Sequence, residues 1–288
     1  MSTTITGSSL REPFGARLRT AMDTFGPLCT GIDPHRALVE AWGLPFTLAG
    51  VERFASTCVE AFGGTVAAVK PQSAFFEAFG SGGVALLERI VQGLRESGTL
   101  VVLDIKRGDI GSTMSAYADA FLADHPHSPD AITLSPYLGY ESLRPAIDLA
   151  HARGRGVFVL ALTSNPEGAA VQHATRGGVS VAASIVQGAA RDNAAAAAAG
   201  ELGSVGLVVG ATVDDAVQRL GLDLVGSAAP ILAPGVGAQG AGAAQLDRVF
   251  GAARAQVLAA SSREVLSAGP GVRALREAAQ RSCDALRV

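Results

Sequence analysis

Residues Leu100 to Met114 read LVVLDIKRGDIGSTM. The stretch opens on four consecutive apolar residues, Leu100–Leu103, without the alternation of a half-exposed strand. A strand buried on both faces reads this way, and such strands belong to parallel sheets covered by helices. The apolar run ends in charge, at Asp104-Ile105-Lys106. Asp109 and a glycine follow, and then a stretch of helical spacing, Ser112–Leu122. Strand, charged strand end, turn and helix are one unit of an alternating α/β fold.

Outward from this unit the pattern repeats. Short β-rich runs are predicted at Leu28–Ile32, Val66–Val69, Ala131–Leu134, Val157–Leu162, Val205–Val209, Pro230–Ala233 and Gln256–Ala260, which with Leu100–Leu103 makes eight. Helical spacing is predicted between them at Val51–Gly63, Gly83–Ser97, Tyr140–Arg153, Val179–Ala199, Thr212–Leu220 and Ala243–Arg254, with a last helix over Gly271–Leu286. Eight alternations predict an α/β protein, a (β/α)8 TIM barrel of parallel strands spanning residues 1–288 as one domain, with its active site at the strand C-terminal ends. An open doubly wound sheet is the alternative, but no GxGxxG follows the first run. The six alanines of Ala194–Ala199 precede Gly200 and read as a helix with a glycine C-cap. The connection from Thr163 to Ser204 is the longest, and no stretch of the chain reads as a linker.

Composition narrows the function. The chain has 288 residues, with 23 Lys+Arg against 26 Asp+Glu, for a formal charge of −3. That excludes a nucleic-acid binder driven by bulk basic charge. The mean hydropathy is +0.31, yet no run approaches the ~18 apolar residues of a membrane span. Cys29, Cys58 and Cys283 are isolated, so neither a disulfide framework nor a zinc knuckle is predicted. Met1 to Gly15 is polar and lacks the apolar core of a signal peptide, so a cytoplasmic location is expected.

The predicted strand ends are polar. They carry Asp33-Pro34, Lys70-Pro71, Asp104-Ile105-Lys106, Ser135-Pro136-Tyr137 and Thr163-Ser164-Asn165. The seventh run enters Pro234-Gly235-Val236-Gly237-Ala238-Gln239-Gly240, and the eighth enters Ser261-Ser262-Arg263. Asp104 and Lys106 are two apart and leave one face of their strand, where Lys70 can join them from the neighbouring strand. An alternating Lys–Asp–Lys array stays ionised in a dry pocket because each charge has an opposite neighbour. A structural ion pair is the plainer explanation of D-x-K spacing, and the third converging charge favours function. The glycine-rich turn and Arg263 read as a phosphate cradle, at the place where barrels often bind phosphate. His125 and His127 flank Pro126 on the opposite side and read as solvated rather than as metal ligands. His35 lies near the active face but has no paired nucleophile, and Trp42, Phe75, Phe76 and Phe79 read as packing.

These residues resemble a known family. Val101 to Met114 fills every specified position of D-x-K-x-x-D-I-[GP]-x-T, the active-site motif of orotidine 5′-phosphate decarboxylases, with Asp104, Lys106, Asp109, Ile110, Gly111 and Thr113. Asp33, Lys70, the PGVGAQG block and Arg263 join it in the family's order. GIDPH (Gly31–His35), KPQSAFFE (Lys70–Glu77) and TSNPEG (Thr163–Gly168) resemble the longer, mycobacterial-type (type 2) branch. The resemblance implies conversion of orotidine 5′-monophosphate to uridine 5′-monophosphate and CO2 without metal or organic cofactor. It implies Lys70, Asp104, Lys106 and Asp109 as a catalytic tetrad with Lys106 donating the proton to C6. It further implies a homodimer in which Asp109 and Thr113 enter the neighbouring site. Asp33 would bind ribose, Ser164 the pyrimidine, and Gln239 and Arg263 the phosphate, helped by the backbone at Gly237, Gly240 and Ser262. In many members the serine loop reads Ser-x-Pro-Gly, and here Glu167 intervenes. Two other readings predict different behaviour. A magnesium-dependent decarboxylase or aldolase acting on sugar phosphates wants an acidic metal ligand where Lys70 stands. A phosphate-ligand sensor would bind nucleotide without turnover.

Overall fold

The computed structural model describes residues 11–237 and 240–287. Its strands are β1 (Leu28–Ile32), β2 (Ala68–Pro71), β3 (Leu100–Arg107), β4 (Ala131–Leu134), β5 (Gly156–Leu162), β6 (Thr175–Arg176), β7 (Val179–Ser180), β8 (Val205–Val209), β9 (Ile231–Pro234) and β10 (Val257–Ser261). Eight of them close into a barrel in the order β1-β2-β3-β4-β5-β8-β9-β10, with β10 returning to β1 and every pair parallel. Strands β6 and β7 form a separate antiparallel pair. The strands β1, β4 and β8 are buried along their whole length, which is why they read as largely apolar runs without alternation.

The core has two shells. Outward-facing strand residues such as Val69, Val101, Leu103 and Ile132 pack under the surrounding helices. Helix Leu48–Phe62 supplies Val51, Phe54, Ala55, Cys58 and Phe62 along one face. The inner shell is smaller: Cys29, Ala68, Val102, Phe158, Val208, Leu232 and Leu258 meet Phe14, Leu18 and Met22 from helix Phe14–Phe25. That helix stops the N-terminal end of the barrel, with Phe14 edge-on to Phe158 at 5.9 Å. A Cβ at Gly156 would lie 2.2 Å from the Phe14 ring, so the glycine makes room for the stopper. With its lower end filled by this helix, the interior of the barrel opens where the strands finish.

Several boundaries differ from the sequence reading. Helix Phe14–Phe25 and the short turns Arg36–Ala41 and Ala74–Glu77 were not predicted. The stretch Val179–Ala199 is not one helix. Val179–Ser180 is strand β7, Ser180 accepts a hydrogen bond from the Ala183 amide at 3.0 Å to cap Val181–Asp192, and a second helix covers Ala194–Ala199. Asn193 makes the break because its buried side chain serves Val205 and Ser227 instead. Only Ala216–Arg219 of the Thr212–Leu220 stretch is helical, after Asp214 takes φ +51°. The Ala243 helix ends at Phe250, where Gly251 turns into a 3-10 segment. The Tyr140 stretch starts as a 3-10 turn and becomes α-helical at Arg144. Strand β3 runs on to Arg107, so Asp104 and Lys106 belong to the strand itself. Among the described residues no helix is long and apolar enough to cross a membrane.

Candidate active site

The C-terminal ends of β2 and β3 bring three charges together. Lys70 on β2 is buried, and its Nζ donates to Asp104 Oδ2 at 2.9 Å. Lys106, further along β3 and half-exposed, donates from Nζ to Asp104 Oδ1 at 2.5 Å. Two further donors complete the carboxylate. Gln72 Nε2 reaches Oδ2 at 2.9 Å, and the Thr133 hydroxyl reaches Oδ1 at 2.8 Å. A carboxylate offers about four acceptor sites, and Asp104 has a donor for each. Gln72 is itself anchored by a bridge that extends the pairing of β2 to Asp104.

Electrostatics keeps this array charged. Burial pushes the Asp104 carboxyl up, but Lys70 and Lys106 outweigh it and hold it down at about 2. Burial pushes the Lys70 ammonium down, but Asp33 and Asp104 outweigh it and raise it above the ordinary lysine value. Two ammonium groups face the two carboxylates of Asp104 and Asp33, which fixes positive charge at a partly enclosed place beside those carboxylates. Such a place stabilises negative charge that develops on a bound molecule.

Beside the array lies a cleft of about 360 Å³, lined by Asp33, His35, Lys70, Val236, Ser262 and Arg263 among others. Asp33 Oδ1 and Ser262 Oγ are buried there without a partner, so both await a donor or acceptor from outside the chain. Gly31 keeps the cleft open at β1, since a Cβ there would lie 2.6 Å from Ser262 Oγ. Arg263 is exposed at the rim and makes no ion pair among the described residues. Gly237 sits at φ +75°, with the Glu264 carboxylate where a side chain would be. The amide of Gly237 donates to Ala241 O at 2.9 Å and that of Gly240 to Gly237 O at 2.7 Å, so both serve the loop's own turn. Gln239 lies outside the described residues. A larger cleft of about 620 Å³ lies at the other end of the barrel, beside Ala16, Thr20 and Val225. That face carries stability rather than chemistry in barrels.

The remaining candidates stand apart from the array. Ser164 is exposed just after β5, its backbone packed near Gly210 at the end of β8. Asp109 Oδ1 accepts from the Ile110 amide at 2.8 Å and forms no ion pair among the described residues. Thr113 is exposed on the first turn of helix Gly111–Leu122, next to Ile110, which is 61% exposed. Within one chain, therefore, Lys70, Asp104 and Lys106 converge, and Asp109 and Thr113 do not join them. Sequence reasoning missed Gln72 and Thr133. Gln72 lay in plain view two residues after Lys70, and Thr133 was the one hydroxyl inside an otherwise apolar run. His125 and His127 stack at 5.4 Å, with His127 3.8 Å from Glu88, and no group of three metal-ligating side chains occurs among the described residues.

Fold and site together define a class, a (β/α)8-barrel enzyme that handles an anionic substrate with fixed charges at its strand C-termini. The family model described as "Orotidine 5'-phosphate decarboxylase / HUMPS family" matches residues 26–278, and the chain belongs to that family. A Streptomyces coelicolor protein named orotidine 5′-phosphate decarboxylase is 60% identical over 274 residues, covering 94% of this chain and 95% of its own. One of the same name from Salinispora arenicola is 59% identical over the same coverage. A solved structure from Streptomyces avermitilis, 57% identical, covers 97% of this chain and 96% of its own with a TM-score of 0.92. The structure of Leishmania donovani OMP decarboxylase, 32% identical over 93% of this chain and 95% of its own, has a TM-score of 0.71.

Proposed function

We infer that this chain is an orotidine 5′-phosphate decarboxylase, releasing CO2 from orotidine 5′-monophosphate to give uridine 5′-monophosphate in pyrimidine biosynthesis. The observation that carries the reading is the Lys70–Asp104–Lys106 array at the strand ends, built on the buried Lys70–Asp104 pair, in a chain 60% identical to a protein named for that activity. Loss of CO2 leaves an electron pair at C6 of the pyrimidine, in an orbital that cannot delocalise into the ring. Catalysis therefore needs a charge that is stronger for the transition state than for the substrate. In this reading the Lys106 ammonium faces the reacting carbon, stabilises the developing carbanion and then transfers its proton to C6. Asp104, with four donors around it, holds both lysines where the carbanion will form.

The cleft suits the rest of the nucleotide. Asp33 serves the ribose hydroxyls, and its unpartnered Oδ1 supports that role. Arg263 and Gln239 take the phosphate with the backbone of Gly237, Gly240 and Ser262, and Ser164 takes the pyrimidine. Binding energy from the phosphate, remote from C6, organises the site. Asp109 and Thr113 complete the neighbouring site of a homodimer, and the exposed Ile110, Tyr137 (80%) and Leu138 (53%) beside them offer the apolar surface for it. GIDPH, KPQSAFFE and TSNPEG support membership of the longer, type 2 branch. The expected setting is the cytoplasm.

The test is the ultraviolet absorbance of orotidine 5′-monophosphate mixed with the protein and excess EDTA. A fall toward the uridine nucleotide spectrum is expected. Turnover of a sugar phosphate that begins only with added magnesium would move the chain to the magnesium-dependent reading. Tight nucleotide binding with no turnover would leave a sensor.

A further inference from the structure

Strands β3 and β4 fall out of register beside the charged array. Leu103 pairs with Ile132, and the next pair is Arg107 with Leu134. Three residues, Asp104, Ile105 and Lys106, therefore face the single residue Thr133. Such a bulge leaves backbone amides without carbonyl partners and re-aims the side chains on it. Lys106, at its end, takes φ +46°, in the left-handed region that a lysine rarely occupies. Residues held there persist only where their surroundings fix them.

The Thr133 hydroxyl is what fixes this one. It is buried, 1% exposed, and accepts from the Ile105 amide at 3.0 Å and from the Lys106 amide at 2.9 Å. A hydroxyl has two lone pairs and one proton. Both lone pairs are taken by the bulge, so the proton has one remaining direction, to Asp104 Oδ1 at 2.8 Å. The same carboxylate oxygen accepts the Lys106 ammonium. One oxygen atom thus ties the backbone of Lys106 to the carboxylate that holds its side chain. Serine could make the same three bonds, whereas valine fills the same volume and makes none.

We propose that Thr133 is a positioning residue for Lys106, its hydroxyl holding the β3 bulge in the conformation that aims the ammonium at the reacting carbon. This rests on the reading of Lys106 as the group that stabilises and protonates C6. Misplacing such a group by about an ångström costs on the order of a hundredfold in rate.

The experiment measures kcat and KM for orotidine 5′-monophosphate, and the affinity for uridine 5′-monophosphate, in wild type, Thr133→Val, Thr133→Ala and Thr133→Ser. Thr133→Val and Thr133→Ala are expected to lose roughly 10- to 100-fold in kcat, with KM and product affinity within about threefold of wild type. Thr133→Ser is expected to recover kcat to within about threefold. A Thr133→Val enzyme with undiminished kcat would overturn the proposal. So would a parallel loss of product affinity, because the residue would then support the whole cleft and not Lys106. If the valine and alanine proteins do not fold, serine decides alone. A folded Thr133→Ser protein that loses more than about tenfold in kcat would show that the methyl group matters and the hydroxyl does not. Wild-type turnover, measured alongside, separates the two readings. Its absence would remove the decarboxylase reading and this role with it, whereas normal wild-type turnover with an unaffected valine variant removes only the role of Thr133.

Discussion

Asp104 is the residue on which the site depends, because two lysines, an amide and a hydroxyl all converge on it. Its depressed carboxyl is also a stability statement. The folded value of about 2 lies below the ordinary 3.8, so the stabilisation is complete above about pH 4 and is lost as pH falls through about 2. Denaturant titrations at about pH 5 and about pH 2.5 should show wild type losing more stability than Asp104→Asn over that interval. An equal loss in both would mean that the lysines do not hold the carboxyl down. Lys70 has the opposite sign. Its raised value keeps the ammonium charged through neutral pH, and its contribution is lost only as pH rises beyond the ordinary lysine range. At the rim, Arg263→Ala should raise KM roughly 10- to 100-fold with a smaller change in kcat, as the loss of a charge-assisted phosphate contact requires. Steady-state kinetics with the nucleotide checks this, and an unchanged KM would argue against a phosphate site there. The D-x-K spacing makes Asp104 and Lys106 legible in the sequence alone, since two residues apart on a strand means one face. Thr133 shows there only as a hydroxyl in an apolar run, and its role is not legible because it follows from a register shift between strands.

At the scale of elements, the barrel strands and helices such as Leu48–Phe62, Gly80–Glu96 and Gly111–Leu122 were legible, while the N-terminal helix and the inside of the longest connection were not. A strand buried on both faces is predominantly apolar, so runs such as Ala131–Leu134 and Val205–Val209 announce themselves and keep the predicted bounds. Helix Phe14–Phe25 carried a signal in Phe14, Leu18 and Met22 at four-residue spacing, but it lies before the first strand and outside the alternation. The stretch from Val179 to Ala199 shows tertiary demand overriding propensity. Its alanines favour one continuous helix, yet Asn193 is needed elsewhere. Its Nδ2 donates to Val205 O at 2.8 Å and Ser227 O at 3.1 Å, while its Oδ1 accepts from the Val205 amide at 3.1 Å. Asn193→Ala should therefore destabilise the protein by about 2–3 kcal/mol, because buried backbone groups lose their partner even as helix propensity improves. Urea unfolding measures this, and a variant as stable as wild type would mean that the break in the helix has another cause.

The whole molecule places its charged array in the upper barrel, above an aromatic stopper at Phe14 and Phe158. Asp109 makes no ion pair with the array of its own chain, and the proposed function assigns it to the neighbouring site of a dimer. Lys106→Ala and Asp109→Ala should each be nearly inactive alone. Mixed and allowed to exchange subunits, they should recover about a quarter of wild-type turnover, since half of the dimers are mixed and each mixed dimer holds one intact site. No recovery despite exchange would place Asp109 in its own chain's site. The role given to Lys106 is chemical, and an isotope reads it. Orotidine 5′-monophosphate is incubated with wild type and with Lys106→Ala in deuterated water, and the pyrimidine product is examined by proton NMR. Uridine 5′-monophosphate carrying deuterium at C6 is expected from wild type, and a rate lower by about a hundredfold or more from Lys106→Ala. Unchanged substrate with wild type, or an undiminished yield of deuterated product from Lys106→Ala, would contradict the assignment.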